Sequence, residues 1–225
     1  MTIETISLTA NDGHQLQACV GRPEGANKNT PKGGIVVIQE IFGLTGHIRS
    51  MVETFAAEGY LAIAPAMFDR VKPDVVLDYS DFDTALETMA KLEREQSLSD
   101  IQAAVDYVRP AGKVGIIGFC WGGSMADLSA CHGLADAGIS YYGRMTVEWL
   151  DLQPACPMLY HYGDRDALIP AETVEKIQRK RNGKVYTWGS ADHGFLCEER
   201  PQYHKASAKQ SMEITLGFLQ ENMQR

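Results

Sequence analysis

Gly118-Phe119-Cys120-Trp121-Gly122-Gly123 is the stretch that decides the fold. It follows an apolar, β-branched run, Val114-Gly115-Ile116-Ile117, and leads into the helical pattern Ser124-Met125-Ala126-Asp127-Leu128. Strand, sharp turn and helix, with a nucleophile-type residue flanked by glycines two positions away on each side, make the layout of a nucleophile elbow with Cys in place of Ser. The glycines are expected on steric grounds. A nucleophile on so tight a turn holds a strained backbone, and side chains at the flanking positions would collide with the neighbouring strand or helix. The elbow also aims the start of a helix at the reacting atom, which favours a thiolate and offers a backbone N–H to a developing oxyanion.

Working outward, strand and helix signals alternate. Residues 5–9 and 15–20 alternate apolar and polar around Asn11-Asp12-Gly13, which predicts an antiparallel hairpin. Residues 21–33 are rich in Gly, Pro, Asn and Lys and read as a solvent loop. Gly34-Ile35-Val36-Val37-Ile38 is a continuous apolar run, as expected of a parallel strand buried on both faces. A helix over 48–58 stopped by Gly59, and a buried strand over 60–65, come next. Residues 81–96 read as one polar helix, and Ser99 as the cap of a second over 100–108. Beyond the elbow, strands are expected over 139–142, 157–162 and 184–188, with helices over 171–181 and 203–220. The expected architecture is α/β: one domain over 1–225, with a mostly parallel central sheet, an N-terminal antiparallel hairpin and helices on both faces.

Bulk properties fit a chain that buries a full core: 225 residues, 44% of them apolar. A net charge of -8 argues against a nucleic-acid partner. Five cysteines (Cys19, Cys120, Cys131, Cys156 and Cys197) are odd in number and form no CxxC pair, so a disulfide framework is not expected and a reducing cytoplasm is. Met1-Thr2-Ile3-Glu4 carries no signal-peptide pattern, and no apolar run approaches the ~20 residues of a membrane span.

Ligands of such sheets gather at the C-terminal ends of the strands. Three candidates follow strands in chain order: Cys120; Asp166, within Gly163-Asp164-Arg165-Asp166-Ala167-Leu168-Ile169-Pro170; and His193, within Ala191-Asp192-His193-Gly194-Phe195. Nucleophile, acid, His is the order of the α/β-hydrolases. His193 would take the thiol proton and return it to the leaving alcohol, Asp166 would fix the imidazole tautomer, and Cys120 would carry a thioester. Asp164 competes with Asp166, which is preferred because it precedes the Leu-Ile-Pro entry to the next helix. Ser124 lies on the helix rather than the turn, and the other cysteines lack the glycine frame. His161, His193 and His204 have no metal-ligand spacing, so neither metal nor cofactor is expected.

These motifs, together with Val36-Val37-Ile38-Gln39-Glu40-Ile41-Phe42-Gly43-Leu44 and Tyr141-Tyr142-Gly143, resemble the dienelactone hydrolase (carboxymethylenebutenolidase) family of cysteine α/β-hydrolases over nearly the whole chain. The resemblance implies Cys120, Asp166 and His193 as triad and Glu40 as a carboxylate that hydrogen-bonds the resting thiol and moves away when substrate binds. It implies the backbone N–H groups of Ile41 and Trp121 as oxyanion hole. The implied activity is opening of a lactone or cleavage of a small ester by a monomer or small homo-oligomer. A thioesterase or acyl transferase, and a non-enzymatic thiol sensor, are the alternatives. One departure bears on substrate. Family members acting on dienelactone hold its carboxylate with arginines, whereas this chain has Cys197 four positions after His193, and Asp81 and Asp83 where the second arginine is expected. Arg70, Arg144 and Arg200 are the substitutes the sequence offers; acidic residues where a guanidinium is expected should repel an anionic dienelactone, and a neutral lactone or small ester is the other option.

Overall fold

Asn11-Asp12-Gly13 reverses the chain between Ile3–Thr9 (β1) and Gln15–Gly21 (β2), which pair antiparallel from Ile3↔Gly21 to Thr9↔Gln15. Gly13 takes φ +86°, the left-handed conformation that glycine reaches without a steric penalty. The computed structural model describes residues 3–25 and 30–224. Residues 1 and 2 of the N-terminal reading and 26–29 of the expected loop lie outside these.

The chain falls into two compact units, one through Val114 and the other Gly115–Gln224. In the first, β2 also pairs antiparallel with Leu61–Pro65 (β4), and β4 runs parallel to Gly34–Ile38 (β3). All five β3 residues are buried although successive side chains point to opposite faces, so both faces are covered. Gly46–Ala57 (α1) and Arg94–Val108 (α3) supply that cover. Helix α1 starts where the Thr45 hydroxyl accepts the Ile48 N–H and stops at Gly59, φ +95°. Its apolar stripe, Ile48, Val52, Phe55 and Ala56, is fully buried, a contribution of roughly 1.5–3 kcal/mol for each large side chain. Arg70 is held bidentate by Asp100 at 2.7 Å on both nitrogens and by Asp12 at 2.8 Å, tying the turn after β4 to α3 and to the hairpin.

The second unit is regular. Val114–Phe119 (β5), Ala137–Tyr141 (β6), Met158–Gly163 (β7) and Lys184–Trp188 (β8) pair parallel in chain order. Trp121–Cys131 (α4), Ala171–Lys180 (α5) and Lys205–Asn222 (α6) connect or follow them, and α4 and α6 both pack on β6, all of whose residues are buried. Parallel strands buried on both faces read as unbroken apolar runs, as β5 does.

The hairpin, the parallel strands and the strand-helix alternation match the sequence reading. One segment does not. The expected helix over 81–96 is two elements: Phe82–Met89 (α2) ends in a tight turn, with Lys91 N–H on the Thr88 carbonyl and Leu92 N–H on that of Met89, and α3 begins at Arg94. Glu93 is the cap residue of α3 and Ser99 lies inside the helix. The break needs neither glycine nor proline, because i→i+3 bonds satisfy the orphan carbonyls of the last turn.

Candidate active site

Cys120 occupies the single residue between β5 and α4, at φ 55° and ψ −118°, a strained backbone for a side chain with a β-carbon. Three backbone bonds hold it there. Its N–H donates to the Tyr141 carbonyl at 3.0 Å, and its own carbonyl accepts the N–H groups of Gly123 and Ser124. Gly118 and Gly123 are sterically required. A β-carbon on Gly118 would collide with the Gly122 carbonyl oxygen, and one on Gly123 would lie 2.5 Å from the Tyr141 carbonyl oxygen. The thiol is therefore presented, half-buried, at the start of α4, where the Trp121 N–H lies in the first turn with no intrahelical acceptor available to it.

A buried polar cluster anchors α4 on its far side. Arg181, just past α5, grips Asp127 of α4 with Nε at 2.9 Å and Nη2 at 2.8 Å, and both side chains are 0% exposed. Trp149 Nε1 and the Tyr160 hydroxyl donate to the same carboxylate. Every lone pair of Asp127 faces a donor, which is what a charge at this depth requires.

Asp166 follows β7 and is buried, while Asp164 is exposed. One Asp166 oxygen accepts the Leu168 N–H at 2.9 Å and the other lies 2.7 Å from His193 Nδ1. A carboxylate partner at Nδ1 places the ring proton there and leaves Nε2 as the basic nitrogen. His193 Nε2 is buried and makes no hydrogen bond among the described residues. Burial is the largest influence on the imidazole and pulls its pKa down. Interaction with the Cys120 sulfur and the hydrogen bond and charge of Asp166 outweigh it, and His193 is pushed up to about 10. The structure thus brings Cys120, His193 and Asp166 into one electrostatic group.

Tyr142 also belongs to this group, a role the sequence did not single out. It directly follows β6 at φ 42°, donates its N–H to the His161 carbonyl at 2.7 Å, and sets its ring 5.0 Å from that of His193. Its sequence signals are its place between a strand and Gly143 and its membership of the Tyr141-Tyr142-Gly143 motif, and neither points to the imidazole.

Glu40 and Ile41 lie in the first unit just past β3, both buried. Gln39 fixes this loop, accepting the Met67 N–H at 3.1 Å and donating to the Glu40 carbonyl, while Leu77 donates to the Phe42 carbonyl at 2.9 Å. Among the three arginines offered as substitutes, Arg70 is taken up by Asp100 and Asp12 and Arg144 is exposed. Arg200 packs its guanidinium on Gly194, where a β-carbon would lie 2.6 Å from Nη1. His161 is buried, receives the Trp188 indole N–H at 3.1 Å and pairs with Thr215, and His204 caps α6. Among the described residues no set of three or more His, Cys, Asp or Glu side chains could hold a metal ion, and no helix is long and apolar enough to cross a membrane.

Comparison with known proteins shows the family. The model of the dienelactone hydrolase family matches residues 16–223. A carboxymethylenebutenolidase of Pseudomonas putida is 32% identical over 232 residues, covering 97% of each chain. A Klebsiella pneumoniae protein provisionally named dienelactone hydrolase superposes with a TM-score of 0.85 at 30% identity, over 98% of this chain and 99% of its own. A dienelactone hydrolase-like promiscuous phosphotriesterase from metagenomic libraries superposes at 0.77 over 99% of both chains, and at 23% identity it speaks for the fold alone. The fold is that of the α/β-hydrolases.

Proposed function

Since the chain belongs to the dienelactone hydrolase family, we propose that it opens a lactone or cleaves a small carboxylic ester through a thioester on Cys120. The observation that carries this reading is the Asp166–His193 hydrogen bond in the same unit as the strained elbow that holds Cys120.

With the thiol proton already passed to His193 Nε2, the Cys120 sulfur attacks the substrate carbonyl carbon and the carbonyl π electrons move to oxygen. The Trp121 N–H, at the positive end of α4, meets that oxyanion. As the tetrahedral adduct collapses, the C–O bond to the ring or alcohol oxygen breaks. That oxygen takes the proton from Nε2, leaving a thioester. Water then gives a proton to Nε2 and attacks the thioester, and the acid departs as the proton returns to sulfur. Asp166 accepts the Nδ1–H throughout and stabilises the imidazolium. By family resemblance alone, the reading extends to the Ile41 N–H as second oxyanion donor and to Glu40 as partner of the resting thiol.

The test is kinetic. Cys120→Ala is expected to lower kcat/KM for a chromogenic ester and for a neutral lactone by roughly 10⁴-fold or more, with circular dichroism unchanged. Cys120→Ser is expected to retain weak turnover, since the elbow remains. Full activity of the alanine variant contradicts the proposal.

A further inference from the structure

The first unit contains a cavity of about 260 Å³ whose lining residues all belong to that unit. At about 30 Å³ per liquid water, it has room for roughly nine waters or a small organic molecule. Its buried lining includes Cys19, Leu44 and Phe68, and exposed Val76 stands among the apolar groups at its rim.

The polar groups on its wall are of two kinds. Arg49, half-buried on α1, spends its Nε on the Leu44 carbonyl at 3.2 Å. The remaining guanidinium lies beside the Cys19 thiol, which burial pushes up and so keeps neutral. Among the described residues no carboxylate lies within the 4.0 Å of an ion pair to Arg49. A half-buried guanidinium with no carboxylate in ion-pair contact binds a carboxylate well, because its planar fork matches the two oxygens and the screening is weak. Asp69 and Asp74 also line the cavity. Asp69 is fixed by two backbone donors, Gln17 N–H at 2.8 Å and Asp74 N–H at 3.3 Å, and each of its oxygens retains accepting capacity. Asp74 is held at φ 58° at this turn. These two carboxylates repel a polyanion and accept from a hydroxyl or ammonium group.

We infer that this cavity is a binding site for a small monocarboxylic acid carrying a second hydrogen-bond donor, an ω-hydroxy or ω-amino acid. Its carboxylate sits on Arg49, its donor on Asp69 and Asp74, and its short hydrocarbon chain on Leu44 and Phe68. The inference does not depend on the catalytic reading.

Calorimetric titration of the full chain tests it with four probes: 4-hydroxybutanoate, 4-aminobutanoate, butanoate and butan-1-ol. The two bifunctional acids are expected to bind more tightly than butanoate, and the alcohol not at all. Arg49→Met is expected to weaken the bifunctional acids by about tenfold or more. Ala66→Leu fills the cavity without touching the guanidinium and is expected to do the same, which covers the case in which Arg49→Met does not fold. Cys120→Ala is expected to leave binding unchanged, so the failure of this inference and the failure of the catalytic reading remain separable. The inference is overturned by absence of binding of the acids at millimolar concentration, by affinities that Arg49→Met and Ala66→Leu both leave intact, or by loss of binding in Cys120→Ala.

Discussion

His193 Nδ1 lies 2.7 Å from Asp166 Oδ2, and the other Asp166 oxygen is tied to the Leu168 N–H at 2.9 Å. The carboxylate cannot turn away without giving up a backbone bond, so the imidazole is fixed in both tautomer and direction. This pairing has a titration signature. Asp166 and Cys120 raise the His193 pKa against the opposing pull of burial. In ¹³C-labelled protein the His193 ring is expected to titrate near 10, and the midpoint is expected to fall in both Asp166→Asn and Cys120→Ala. The folded pKa lies above the unfolded value of about 6.5, so the linked stability is fully present below pH 6.5 and is lost as pH rises through about 10. A midpoint that neither substitution moves contradicts the coupling.

Gly118 permits the elbow. A β-carbon there meets the Gly122 carbonyl oxygen, which is backbone and cannot rotate aside. Gly118→Ala is expected to lower stability by roughly 1–3 kcal/mol or more through overpacking and to reduce esterase activity by about 100-fold, because α4 must shift relative to Cys120. Gly217→Ala is the control. It lies within α6 with open space around its missing β-carbon and is expected to retain full activity. Thermal melting and steady-state kinetics on the two variants check both statements.

The Asp127–Arg181 pair anchors the elbow helix. With both side chains 0% exposed, Arg181→Met leaves a buried carboxylate without its counter-charge and is expected to lower stability by about 3–5 kcal/mol in urea denaturation. Lys209→Met breaks a pair whose side chains are 75% and 63% exposed and is expected to change stability by less than about 0.5 kcal/mol. Equal effects of the two substitutions contradict the structural assignment.

How far the chain could be read in advance depended on where each signal sits. Val114 to Gly123 shows its fold locally, since an apolar run and closely spaced glycines admit few backbone paths. Asp12-Gly13 does the same for the hairpin. The break between α2 and α3 falls in Ala90-Lys91-Leu92-Glu93, where good helix formers give no stop signal and only the pattern of carbonyl bonding ends the helix. Asp127 and Arg181 are 54 positions apart, and only the fold brings them together. Tyr142 is packed against His193 by the neighbouring strands, and its identity alone does not reveal that.

The central claim is that Cys120 carries the acyl group. Acid quenching during turnover of a slow ester, followed by intact-mass and peptide-mapping spectrometry, measures this directly. The account predicts one acyl increment, on the peptide containing Cys120, absent in Cys120→Ala and accumulating in His193→Ala only to the extent that attack still occurs. An acyl group on another residue, or undiminished turnover by an enzyme that never becomes acylated, contradicts it.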